Sequence, residues 1–297
     1  TKNTSRNGGA IFTQNNSELE IVGGTYSQNT AKGGGFLYQG GDSKVTIKEG
    51  ASIESNYATE GHGSAVVMGS DGGSLTCEGV TFKNNSNESS GGTVAYGGAV
   101  GTTGKGMMTM KNCTFNGNFN KSFGGAAINM NGSGNSLISG CTFTSNQVQC
   151  IGIPDGNNNG RYGGGAIRFD STGNISVEGC TFEGNFFVSK DITDSYNHAY
   201  GGAVYINAGG KYTFNNCKFK GNHAVRGGAL CVWATGASIY LNACSFDGNF
   251  ITFRNGTTIH IEKAEEHFFS PQHAVDIVKR LLHHSGMIID NATPMSQ

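Results

Sequence analysis

One short phrase, Gly-Gly-Ala followed by an aliphatic residue, limits what this chain can fold into more than any other feature. It stands at Gly8 to Ile11, Gly97 to Val100, Gly124 to Ala127, Gly164 to Ile167, Gly201 to Val204 and Gly227 to Leu230, with weaker copies at Gly33 to Phe36 and Gly63 to Val66. A second phrase runs in step with it, an aromatic or aliphatic residue with Asn three positions later. It reads Tyr26/Asn29, Ile53/Asn56, Phe82/Asn85, Phe115/Asn118, Phe143/Asn146, Phe182/Asn185, Phe219/Asn222 and Phe246/Asn249. Self-similarity of this kind marks a repeat architecture, in which no unit buries its apolar face alone and neighbours must stack.

Each unit from Gly8 to Asn249 holds three strand-like pieces. In one of them, Gly164-Gly165-Ala166-Ile167-Arg168-Phe169 opens on a Gly turn, Asn174-Ile175-Ser176-Val177-Glu178 alternates apolar and polar residues, and Cys180-Thr181-Phe182 forms the third piece before Gly184-Asn185. Three short strands and three turns in roughly 27 residues make one rung of a parallel β-helix, each strand pairing with its equivalent roughly 4.8 Å away. The expected fold is therefore all-β, a single-stranded parallel β-helix of about eight rungs, or roughly 40 Å of stacked strands. An antiparallel sandwich would not require the same residue type at the same phase of every unit.

Stacking gives the columns their meaning. One inward column is expected to be Ile11, Phe36, Val66, Val100, Ala127, Ile167, Val204 and Leu230, and another runs from Tyr26 and Ile53 through Phe82 to Phe246. Asn29, Asn56, Asn85, Asn118, Asn146, Asn185, Asn222 and Asn249 are expected at a bend, each amide bonding the next along the axis. Cys113, Cys141, Cys180, Cys217 and Cys244 share an inward phase two residues before the aromatic. They lie along a line instead of converging as zinc ligands do, and parallel Cβ vectors hinder a disulfide, so a buried free-thiol ladder is expected.

The 49 Gly and 3 Pro residues exclude collagen and a Pro-rich linker and suit many tight turns. A net charge of -1 gives no electrostatic reason to expect nucleic acid, and no apolar run approaches the roughly 18 residues of a membrane span. The chain starts at Thr1 and is within a repeat by Gly8, so upstream chain or another copy is expected to cover the first rung. Asn-X-Ser/Thr acceptors occur at Asn15, Asn84, Asn112, Asn131, Asn174 and Asn255. After Asn249 the repeat stops. Ile251 to Glu262 is expected to form one last strand, with Ser270 as N-cap, Pro271 opening an amphipathic helix and Gly286 ending it. The expected division is 1–262 parallel β-helix and 263–297 a C-terminal α-helical cap and tail.

No convergent catalytic group stands out. Gly61-His62-Gly63 falls on the Gly-pair phase, and the outward acids Asp170, Glu178 and Glu183 form no evident pair of the kind a glycosidase needs. Extra residues enter mainly at Ser86 to Tyr96, Gln147 to Gly163 and Phe186 to Tyr200, so that one edge gathers the inserted loops. That edge carries the candidate ligand-facing residues Asp155, Arg161, Tyr162, Lys190, Asp191, Asp194, Tyr196, His198 and Tyr200. A second candidate is an outward stripe of Phe12, Leu37, Val67, Ile128, Tyr205 and Trp233, either a contact surface or a strip covered by an inserted loop or the C-terminal tail. Catalytic residues, metal ligands and cofactors are expected to be none.

The paired phrases, Gly-Gly-Ala-Ile and Phe-x-x-Asn as in Phe182-Glu183-Gly184-Asn185, resemble the repeats of chlamydial polymorphic membrane proteins and related secreted right-handed β-helix proteins. The resemblance covers Gly8 to Asn249. It implies a right-handed coil and an extracellular or cell-surface passenger that adheres to a host or to neighbouring molecules. The expected partners are a protein or glycan surface ligand, or copies of the chain itself. The expected function is non-catalytic, in adhesion or as a structural segment of a surface fibre, with a polysaccharide-binding or polysaccharide-cleaving protein using the inserted-loop edge as the alternative.

Overall fold

Parallel pairing from rung to rung builds the whole core. In a computed structural model that describes residues 1–69, 72–87, 97–121, 124–150, 162–189, 199–252 and 258–261, the strands after each Gly corner form an eight-stranded sheet. It runs from Ile11–Thr13 through Leu37–Gly40, Val66–Gly69, Val100–Thr103, Ile128–Gly132, Ile167–Ser171 and Val204–Ile206 to Leu230–Val232. The second and third pieces of every rung join one 14-stranded sheet, because the first two rungs run through both in the long strands Glu18–Ser27 and Lys44–Glu54. No helix occurs among the described residues.

A fourth strand follows each ladder Asn, which the sequence reading leaves out. Thr30–Ala31, Tyr57–Ala58, Ser86–Asn87, Phe119–Asn120, Gln147–Cys150, Phe186–Ser189, His223–Ala224 and Asn249–Thr252 pair in parallel. Most of these strands are too short to show an alternating pattern. The series ends differently from the single last strand expected. Thr258–Ile261 folds back antiparallel on Asn249–Thr252, with Phe250 opposite His260, so a returning strand covers that sheet edge. The chain divides into units Thr1–Ala264 and Glu265–Gln297. The helix expected from Ser270 to Gly286 lies outside the described residues.

The ladder asparagines are all buried. Asn118 shows the pattern. Its Oδ1 accepts from the backbone N–H and Nδ2 of Asn85, while its Nδ2 donates to Asn146 Oδ1 at 3.0 Å and to the Phe82 carbonyl at 3.0 Å. Both donors and both acceptor positions of the carboxamide are thereby used. The same bonds recur from Asn29 to Asn249, and Asn3 adds a further member by donating to Asn29 Oδ1 at 2.8 Å. The residue before each ladder Asn from Asn29 onward is in the left-handed region, as at Gln28 (φ 57°), Ser145 (φ 54°) and Gly184 (φ 60°). That conformation turns the chain sharply enough to aim the amide inward.

Beside the amides, the rings of Phe82, Phe115, Phe143, Phe182, Phe219 and Phe246 stack with centroids 4.7 to 4.9 Å apart. Each buried ring stabilises by roughly 1.5–3 kcal/mol through area alone. Cys113, Cys141, Cys180 and Cys217 are buried free thiols, and Cys244 is half-buried. The Gly corner follows from sterics at both of its glycines. Gly201 has φ +63°, and a Cβ there would strike the Val204 carbonyl; a Cβ on Gly202 would strike the Gly228 carbonyl of the next rung.

The register corrects the expected inward column at two rungs. Ile11 pairs with Leu37, Leu37 with Val66, Val100 with Ile128 and Ile128 with Ile167. Leu37 and Ile128 are therefore fully buried core residues, not members of an outward stripe, and Phe36 and Ala127 sit one position earlier, where they are buried as well. Gly33-Gly34-Gly35 and Gly125-Ala126-Ala127 each offer two frames for the corner, and a slip of one residue exchanges the faces of a strand.

Two outcomes follow from the ladders. Asn118→Ala leaves buried donors of Asn85 and the Phe82 carbonyl unpaired and should lower stability by about 2–5 kcal/mol, whereas Asn3→Ala on the exposed first rung should change it by less than about 0.5 kcal/mol; chemical denaturation and amide hydrogen exchange read both. In the native protein Cys113, Cys141, Cys180 and Cys217 should react with a thiol reagent such as DTNB only as fast as the stack opens, and with full stoichiometry after unfolding in denaturant.

Candidate ligand-facing cluster

Strand periodicity places Arg168 and Asp170 on the outer face of Ile167–Ser171. The register sets Arg168 beside Tyr205, and Tyr205 beside Cys231, on successive rungs. Asn207 and Trp233 follow two residues further on, so one strip of sheet holds Arg168, Asp170, Tyr205, Asn207 and Trp233.

The polar groups of this strip close on one another. Arg168 Nε donates to Asp170 Oδ2 at 2.6 Å and Nη2 to Oδ1 at 3.1 Å. Asn207 Nδ2 donates to Asp170 Oδ1 at 2.7 Å, and Tyr205 OH donates to Asn207 Oδ1 at 3.0 Å. Arg168 is 5% exposed, and its guanidinium lies 5.5 Å from the Tyr205 ring centroid. Burial, only partly offset by Arg168, raises the Tyr205 phenol well above its ordinary pKa, so it stays a hydroxyl donor at neutral pH. The Asp170 carboxylate accepts three charged or polar N–H groups, which suits it to hold its neighbours in place.

Above this layer lies a second one. Ala199–Tyr200 pairs in parallel with Tyr162–Gly163, just before the corner. Tyr200 stacks on Tyr205 at 5.6 Å and meets Trp233 at 5.0 Å. The Arg226 guanidinium lies 5.5 Å from the Tyr200 centroid, with Nη1 donating to Tyr200 OH at 3.5 Å. Burial pushes the Cys231 thiol up to about 12 against the pull of Arg226. A neighbouring buried amide, Asn129, has no hydrogen-bond partner for Oδ1 or Nδ2 among the described residues.

This second layer accounts for the remaining members of the expected stripe. Phe12 is exposed by 49% and stacks on Tyr38, but Val67 and Tyr205 are buried although their phase is outward. Chain that precedes the corners covers them: a Cβ on Gly33 would touch Val67, and one on Gly163 would enter Tyr205. Trp233 is half-buried. At Val67 the covering chain is the regular corner at Gly33, and at Tyr205 it is Gly163, the last residue before a corner. Of the expected loop residues, Tyr200 belongs to the cluster and Tyr162 to the short strand beside it. Asp155, Arg161, Lys190, Asp191, Asp194, Tyr196 and His198 lie outside the described residues.

Sequence reasoning passes over Arg168, Asn207, Arg226 and Asn129. The available signal is Arg168-Phe169-Asp170, opposite charges on one strand face where no other rung carries a charged residue. The outer face of the 14-stranded sheet is plainer. It holds an open groove lined by short hydroxyl side chains such as Thr76, Thr109 and Ser176, with Met107 and Leu137 between them. No group of His, Cys, Asp and Glu among the described residues is arranged to hold a metal ion.

Asp170→Ala should leave Arg168 buried without its carboxylate and cost about 3–5 kcal/mol. The double variant Arg168→Met, Asp170→Ala should recover part of that loss. Thermal midpoints, with hydrogen exchange across Ile167–Ser171, measure the difference.

Among known proteins, the model of the family described as right handed beta helix region matches residues 48–251, more than half of the chain. No curated protein and no solved structure matches it. With eight parallel rungs and a family match that spans most of them, the chain belongs to the right-handed beta helix family.

Proposed function

We propose that this chain is a non-catalytic, extracellular or cell-surface β-helix that acts in adhesion or as a structural segment of a surface fibre. The observation that carries the reading is the closed state of the Arg168–Asp170–Asn207 network. Its carboxylate is ion-paired with Arg168 and accepts three hydrogen bonds within the cluster, an arrangement that serves shape and contact. The likeness of the Gly-Gly-Ala-aliphatic and Phe-x-x-Asn phrases to those of chlamydial polymorphic membrane protein passengers supports the surface location. The half-buried Trp233 beside Tyr200 favours glycan binding as the form that adhesion takes, since aromatic faces carry sugar contacts.

The expected result is retention of the chain on glycan-coated or protein-coated surfaces without turnover. Acidic and neutral polysaccharides incubated with it, calcium present, should release neither reducing nor unsaturated ends. Release of such ends would replace this reading with a polysaccharide-cleaving one that uses the inserted-loop edge.

A further inference from the structure

We propose, independently of the adhesive reading, that Met107 is a site of reversible oxidation, where a peroxide converts the thioether to a sulfoxide and leaves the coil folded. The register singles this residue out. Met107 pairs with Ser74 on the preceding rung, and the pairing of Met108 with Ser136 sets Asn135 beside it on the following one. Glu18, Lys44, Asn174 and Lys211 stand further along the same outward column, in which Met107 is the only apolar member.

Exposure separates it from the other described methionines. Met107 is 57% exposed on the outer face of the 14-stranded sheet, whereas Met68, Met108 and Met110 are fully buried and Met130 is 3% exposed. It is also the most exposed apolar side chain of the hydroxyl-lined groove, where Leu137 is half-buried and Ile175 is buried. A thioether so placed adds little to the core and meets a dissolved oxidant directly.

The chemistry needs only a hydroperoxide. The sulfur lone pair attacks one peroxide oxygen, the O–O bond breaks as the S–O bond forms, and the departing hydroxide takes the proton from the transferred oxygen to leave as water. Sulfur is oxidised by two electrons, and the peroxide is reduced by two. The new oxygen is a strong acceptor with donors on both sides. Ser74 supplies a hydroxyl, while Asn135 gives its Oδ1 to Asn174 N–H at 2.9 Å and keeps its Nδ2 to donate. An oxygen added to Met68, Met108 or Met110 would instead lie among apolar core side chains. The half-buried thiols Cys231 and Cys244 compete poorly. Burial pushes Cys231 up to about 12 and hydrogen bonding with Cys217 raises Cys244, so neither is the reactive thiolate at neutral pH.

Treatment of the full chain with hydrogen peroxide, followed by digestion and fragment-ion mass spectrometry, follows each methionine separately. Met107 should gain one oxygen at least about tenfold faster than Met108 or Met110, in line with 57% exposure against none. The oxidised chain should keep its circular dichroism spectrum and thermal midpoint, and a methionine sulfoxide reductase should restore the thioether. Met107→Gln, which sets a permanent amide oxygen in the same place, should be as stable as the parent protein. A rate at Met107 no faster than at Met108 and Met110 overturns the assignment. So does loss of the fold on oxidation of Met107, destabilisation by Met107→Gln, or a sulfoxide that the reductase leaves in place.

Discussion

Each rung carries a carboxamide in its interior that only other rungs can satisfy. Asn118 takes two donors from Asn85 and gives its own hydrogens to Asn146 and to the carbonyl of Phe82. A rung displaced by one residue would bury an amide with nothing to bond, at a cost of about 1–3 kcal/mol for each group. The apolar columns supply most of the stabilising area, but they tolerate exchange among Ile, Val, Leu and Phe. Hydrophobic packing therefore holds the stack together and the amide ladder fixes its register.

How far the sequence discloses the structure varies with the kind of column. Phe-x-x-Asn is legible because Phe and Asn do unlike things at a fixed distance, and no other frame satisfies both. The Gly corner is less legible. At Gly33-Gly34-Gly35-Phe36-Leu37 either Phe36 or Leu37 completes the phrase, and both are buried, so hydrophobicity cannot choose between them. Pairing with Val66 makes the choice. Asn3 escapes notice for a simpler reason: it lies too near the start of the sequence to carry the aromatic mark of the other ladder members.

The outer cluster was the least legible part. Alternation assigns Val67 and Tyr205 to the outward face, which is their true phase, yet phase states direction and not cover. Their burial is a property of residues elsewhere in the rung, among them Tyr200 above Tyr205. Arg168 and Asp170 likewise acquire meaning only when Asn207 and Tyr205 arrive from the following rung. A repeat sequence is most readable where all units agree. Its particular chemistry lies where one or two units differ, and there single-unit patterns give no warning.

The asparagine ladder also has a direction. In every step the lower-numbered residue donates and the higher-numbered one accepts, from Asn29 to Asn56 and onward to Asn249. Between the carboxamides themselves, a division between two rungs leaves N–H donors on one side and an Oδ1 acceptor on the other, while the second Nδ2 hydrogen of each amide bonds a carbonyl of the preceding rung and runs the opposite way. The coil behaves as a vector at the level of single side chains. Only contacts that keep the same sense can continue the amide column, in which two identical ends would set Oδ1 against Oδ1 or N–H against N–H.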